Sequence, residues 1–210
     1  MIYNVYFDIF AVVISFFAII LAFTKKDFWK RQNFILFILL VATFLASILD
    51  ILSSVGNSYI VEWSYGLRDV LNYGYLTVQN IMSYLFCLYI VFLTDLDSKM
   101  SRKKRCLFHV GLASLYAVDV ILLSLNPFLR EVFFYDSNGV YSHDWGMIVL
   151  YVNALVYMAL SYFLMMRYGK EVRFVKKATV YLFLTASLVA VIFQIIIPTI
   201  LLQLCIEALC

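Results

Sequence analysis

Arg68, Asn72, Tyr75, Gln79 and Ser83 recur every three or four residues inside one long apolar stretch, 66–96. That spacing puts a guanidinium, two amides and two hydroxyls on a single face of a helix. Such groups are costly at membrane depth unless they look into a bundle interior or a water-filled cavity. Three carboxylates, Asp8, Asp50 and Asp119, stand in other apolar stretches. Asp8, Asp50, Arg68, Asn72, Gln79 and Asp119 are therefore the candidate ligand-binding residues. In this reading the carboxylates and Arg68 hold a small polar or cationic ligand in a pocket reached from outside. The structural alternative is that Arg68 pairs with one or two of the acids and only fastens helices together.

Catalytic chemistry has little to stand on. No Walker-type glycine loop, HExxH, CxxC pair or GxSxG elbow occurs. His109 and His143 fall on opposite predicted sides of the membrane, so they cannot share a metal. No lysine lies between residues 178 and 210, which excludes a retinal Schiff base there. The chain reads as a binding module, not an enzyme, with no metal or cofactor expected.

The elements that must position these residues are membrane spans. A hydrophobic fraction of 65% with only 14% charged residues lies outside the soluble globular range. Seven spans are predicted, at 4–24, 34–54, 66–96, 106–125, 145–168, 178–197 and 199–210. The last is shorter than the roughly 20 residues a crossing needs, so the chain reads as the membrane part of a longer protein. Gly56 and Asn57 are assigned to the second connection, and Asn126-Pro127 ends the fourth span. Between the fourth and fifth spans, Asp136-Ser137-Asn138-Gly139 lies between β-forming residues and predicts a short hairpin, as a lid or a simple turn. His143 beside it reads as an exposed histidine or as a pH-sensing one. Glu207 is a lone carboxylate in the last span.

Polar and small residues form one stripe per span, the sign of a packed polytopic bundle. Asn4, Asp8, Ala11, Ser15, Ala18 and Ala22 share a face, as do Thr43, Ser47, Asp50 and Ser54. Asn153, Tyr157 and Ser161 form a third. On the third span, Val70, Leu71, Leu85, Leu88 and Val91 are assigned to lipid. Cys106 follows the run Arg102-Lys103-Lys104-Arg105 and reads as a buried thiol, with reversible lipidation as the alternative.

Orientation follows the basic residues. The first, third and fifth connections hold 14 of the 16 Lys and Arg; the other two are Arg68 and Arg130. Basic loops stay in the cytoplasm, which places the N-terminus and the hairpin outside. The net charge of +3 follows this topology and is no nucleic-acid signature.

Several stretches, taken in order, resemble a known family. They are Tyr3-Asn4-Val5-Tyr6-Phe7-Asp8-Ile9, the late Asp50, Asn72-Tyr73-Gly74-Tyr75-Leu76, Gln79-Asn80 and Leu88-Tyr89-Ile90-Val91-Phe92-Leu93-Thr94-Asp95. Leu125-Asn126-Pro127-Phe128, the hairpin from Val132 to Tyr141, and Phe193-Gln194-Ile195-Ile196-Ile197-Pro198 complete the set. Together they resemble the seven-helix membrane sensory region ahead of GGDEF diguanylate cyclase domains in Clostridia-type bacteria. The resemblance implies a bacterial plasma-membrane sensor with a cytoplasmic output domain beyond Cys210. That domain would be a dimeric cyclase making cyclic di-GMP, although related regions also precede histidine kinases. The residues thus predict an all-α, seven-helix membrane bundle, one sensor domain over 1–210, in contact with the lipid bilayer and an unknown small ligand. A small transporter or channel subunit, and a purely structural anchor, are the rival readings.

Overall fold

The computed structural model describes residues 5–59, 63–196, 204, 205 and 208. Its elements are α1 (Tyr6–Phe23), α2 (Arg31–Ser58), α3 (Tyr65–Leu93), the short α4 (Leu96–Lys99), α5 (Arg102–Leu129), β1 (Phe133–Tyr135), β2 (Tyr141–His143), α6 (Trp145–Tyr168) and α7 (Phe174–Ile196). Six of the helices are long and apolar enough to cross a membrane, giving a multi-pass helical bundle. The seventh predicted span and Glu207 lie outside the described residues, apart from Leu204, Cys205 and Ala208.

The helices turn their small and polar faces inward. Asp8, Ala11, Ser15 and Ala22 are buried on α1, whereas Phe10, Phe16, Phe17 and Leu21 are exposed where lipid would lie. Inside an apolar bundle a hydroxyl or amide without a partner is costly, so many bond to their own helix. Ser15 donates to the Ala11 carbonyl at 2.6 Å, Ser47 to Thr43 at 2.8 Å and Asn80 to Leu76 at 2.7 Å.

α3 is the hub, packed against α2, α5 and α6. The flank assigned to lipid is a correction: Leu71, Leu85, Leu88 and Val91 are buried, and only Val70 is open. Periodicity distinguishes two faces but cannot say that both are covered.

Two helix ends also differ from expectation. Gly56 and Asn57 lie inside α2, not in a loop. A Cβ on Gly56 would come within 3.2 Å of the Trp63 ring and 3.4 Å of Arg68 Cγ. The glycine therefore serves close packing there and does not end the helix. α5 likewise continues through Pro127 to Leu129. Proline this near the end forfeits one ladder bond, and Arg130, at φ 58°, closes the helix by donating to the Asn126 carbonyl at 2.8 Å. Cys106, the fifth residue of α5, is exposed, not buried.

The hairpin pairs Phe133 with His143, Phe134 with Ser142 and Tyr135 with Tyr141. Its turn is closed by the Asp136 carboxylate, which accepts from the backbone of Asn138 and Val140, both at 2.8 Å. Gly139 takes φ 75°, a conformation that favours glycine. At the opposite end of the bundle, the basic connections meet. Arg31, Arg105 and His109 converge on Asp97, and Lys99 reaches Glu171. All three basic connections are therefore on one side and the hairpin is on the other.

Candidate functional site

The polar face of α3 lines a cavity of about 420 Å³. Asn72, Tyr75, Gln79 and Ser83 contribute from α3, spanning roughly 16 Å at 1.5 Å per residue. Asp50, Ser53, Ser54 and Asn57 face them from α2, at the i, i+3, i+4, i+7 spacing of one helical stripe. Tyr141 and His143 close the hairpin end, and Tyr151 with Met147, Leu150 and Met158 supplies the α6 wall. The volume lies within the range of small-molecule sites, and the lining has the usual mixture of apolar wall and a few directed polar groups.

Of the six candidate residues, Asp50, Asn72 and Gln79 line the cavity, while Asp8, Arg68 and Asp119 do not. Asp50 stands eight residues before the end of α2, roughly 12 Å at 1.5 Å per residue. Its carboxylate accepts from the Ser54 hydroxyl at 3.4 Å and from the Tyr75 hydroxyl. Asp119 lies between α5 and α6, where it accepts from Asn153 Nδ2 at 2.6 Å. Asp8 is fully buried on α1, close enough to Asp50 for the two carboxylates to repel. Neither Asp8 oxygen has a hydrogen-bond partner among the described residues.

Arg68 also does something other than what its type suggested. Among the described residues no carboxylate lies within ion-pair distance of it. Instead Nη2 donates to the Gly139 carbonyl at 2.7 Å, and Nε donates to Asn57 Oδ1 at 3.4 Å. The guanidinium lies over the Tyr135 ring, 4.2 Å from its centroid. This fully buried arginine holds the hairpin against the head of α3. Asn72 continues the network: Nδ2 donates to the Arg68 carbonyl at 2.8 Å and to the Tyr135 hydroxyl at 3.0 Å. Asn57 Nδ2 in turn donates to Asn72 Oδ1 at 3.2 Å. Burial pushes the Tyr135 hydroxyl up to about 12, so it stays neutral and can both accept from Asn72 and donate to Asp69. The cavity wall and the hairpin thus share hydrogen bonds.

Reading the sequence missed Asn57, Tyr141, His143 and Tyr151. Asn57 carried a signal, since it continues the Asp50, Ser53, Ser54 stripe, but Gly56 disguised it. Nothing in the spacing links Tyr141, His143 or Tyr151 to α3, because tertiary packing alone brings them there.

An unpartnered polar group inside a protein costs about 1–3 kcal/mol. Asp8→Val is accordingly expected to stabilise the bundle by about that amount, measured as a higher unfolding midpoint in lipid nanodiscs. A lower midpoint would mean that Asp8 is held by a structural partner.

Comparison with protein-family models, with characterised proteins and with solved structures gives no match.

Proposed function

We propose that this chain is the membrane-embedded sensory half of a signalling protein, with the N-terminus and hairpin outside. A small ligand enters the cavity between α2, α3 and α6 and changes how the helices pack. The last span passes that change to a cytoplasmic output domain. The observation carrying this reading is the cavity itself, whose wall residue Asn72 bonds directly to the hairpin through Tyr135. A bound molecule competing for Asn72 biases the hairpin's docking, and a ligand shifts such an equilibrium only through different affinities for the two states. The gathering of the basic connections at the other end supports the orientation. Output as a GGDEF diguanylate cyclase rests on the sequence resemblance.

The test is cyclic di-GMP in cells expressing the complete coding sequence, with and without culture filtrate. Wild type is expected to respond. Ala154→Trp fills the cavity from α6, where overpacking costs about 1–3 kcal/mol. This variant is expected to stay in the membrane and give one fixed level. Cyclic di-GMP equal to that of the empty vector would overturn the cyclase reading. Flux of a solute through liposomes carrying the protein would favour a transporter.

A further inference from the structure

We propose that the cavity is built for a small organic amine, its ammonium seated against Asp50 and its short apolar or aromatic body along α6. This proposal rests on the sensor reading above and names the ligand class of the same cavity. It follows from charge, from size and from how the chain's own cations are used.

Among the described residues, Asp50 is the only carboxylate on the cavity wall. Asp8 stands behind it, fully buried, with both oxygens lacking a hydrogen-bond partner among the described residues. Two neighbouring carboxyl groups out of water either give up charge by taking a proton or gain a cation, and a cation in the cavity would satisfy Asp50 in the second way. None comes from the described part of the chain: no Lys, Arg or His lies within ion-pair distance of either acid. Arg68 is engaged with Gly139, Asn57 and the Tyr135 ring and does not reach the cavity. The hydroxyls of Ser54 and Tyr75 are already directed at Asp50, so the carboxylate is held in place for an incoming cation.

Size selects among cations. A cavity of about 420 Å³ is far larger than a bare alkali ion needs and suits an amine carrying a body. Tyr75, Tyr141 and Tyr151 line it, and aromatic faces attract ammonium groups. Met147, Leu150 and Met158 offer apolar surface to the rest of the molecule. Among the described lining residues no Lys or Arg is present to pair with a carboxylate, and His143 at the hairpin end is the one imidazole. The site should therefore prefer an amine to the matching amino acid.

The experiment is thermal unfolding of the chain in nanodiscs at constant ionic strength. The probes are butylamine and phenethylamine, each against its alcohol, butanol or 2-phenylethanol, with phenylalanine as the zwitterionic control and sodium against potassium chloride as the inorganic one. At least one amine is expected to raise the midpoint more than its alcohol and more than phenylalanine. Asp50→Asn should weaken that amine by about tenfold to a hundredfold while leaving the alcohol unchanged. If Asp50→Asn does not fold, Asp8→Val serves. It leaves the cavity wall intact, removes the second carboxylate, and should weaken the amine by about threefold to tenfold.

Amine and alcohol acting alike would overturn the proposal while leaving a cavity that takes small molecules. A shift from sodium over potassium and from neither amine would overturn it in favour of an inorganic cation. No shift from any probe also overturns it. The sensor reading is then decided separately by the cellular response of wild type and Ala154→Trp.

Discussion

Arg68→Met will release the β1–β2 hairpin from the head of α3 and destabilise the protein by about 3–5 kcal/mol, the usual cost of breaking a buried charged network. Methionine follows the arginine stem past Gly56 but supplies no donor. The Gly139 carbonyl and Asn57 Oδ1 each lose a bond, and Tyr135 loses the cation over its ring. Arg68→Lys will recover little. One ammonium cannot donate to Gly139 and Asn57 while also lying flat on Tyr135, which is the task a planar guanidinium performs. Hydrogen–deuterium exchange reads the result directly: amides of residues 132–144 should lose protection in both variants, with the half of α3 far from the hairpin unaffected. Unchanged protection of the hairpin would show that Asn126 and the apolar contacts suffice without Arg68.

The sequence was most readable where one element's own spacing decides the matter. The α3 stripe of Asn72, Tyr75, Gln79 and Ser83 does line one cavity, because residues three and four apart share a helix face whatever surrounds them. The buried small faces of α1 and α2 follow from the same rule. Legibility ended where the partner had to be known. Asp119 and Asp50 look alike as carboxylates in apolar helices, yet one meets Asn153 between α5 and α6 and the other meets the cavity. Arg68 suggested an acid partner and instead took a backbone carbonyl 71 residues away. Gly56 and Pro127 misled for a common reason. Each breaks helices on average, but one is used here for close packing and the other falls within the last turn, where its missing donor costs least.

Asn126→Ala is expected to cost about 2–4 kcal/mol, since it leaves several buried backbone groups without partners. Asn126 Oδ1 accepts from the backbone of Val132 at 2.7 Å and of Phe133 at 3.3 Å. Its Nδ2 donates to the Phe133 carbonyl and to the Tyr73 hydroxyl, both at 3.0 Å. One amide thus secures the root of β1 to α5 and α3, while Arg68 secures the turn. Because both hold the same hairpin, their losses should not add. Once one has released it, the other has less left to lose, and the double variant should fall short of the summed cost by about 1–3 kcal/mol. Unfolding midpoints of the two single variants and the double variant measure that difference. Full additivity would mean that the root and the turn detach independently. Coupling would mean that the hairpin docks as one body. Tyr141 and His143 would then join or leave the cavity wall together, so either substitution should weaken a cavity ligand that neither residue touches.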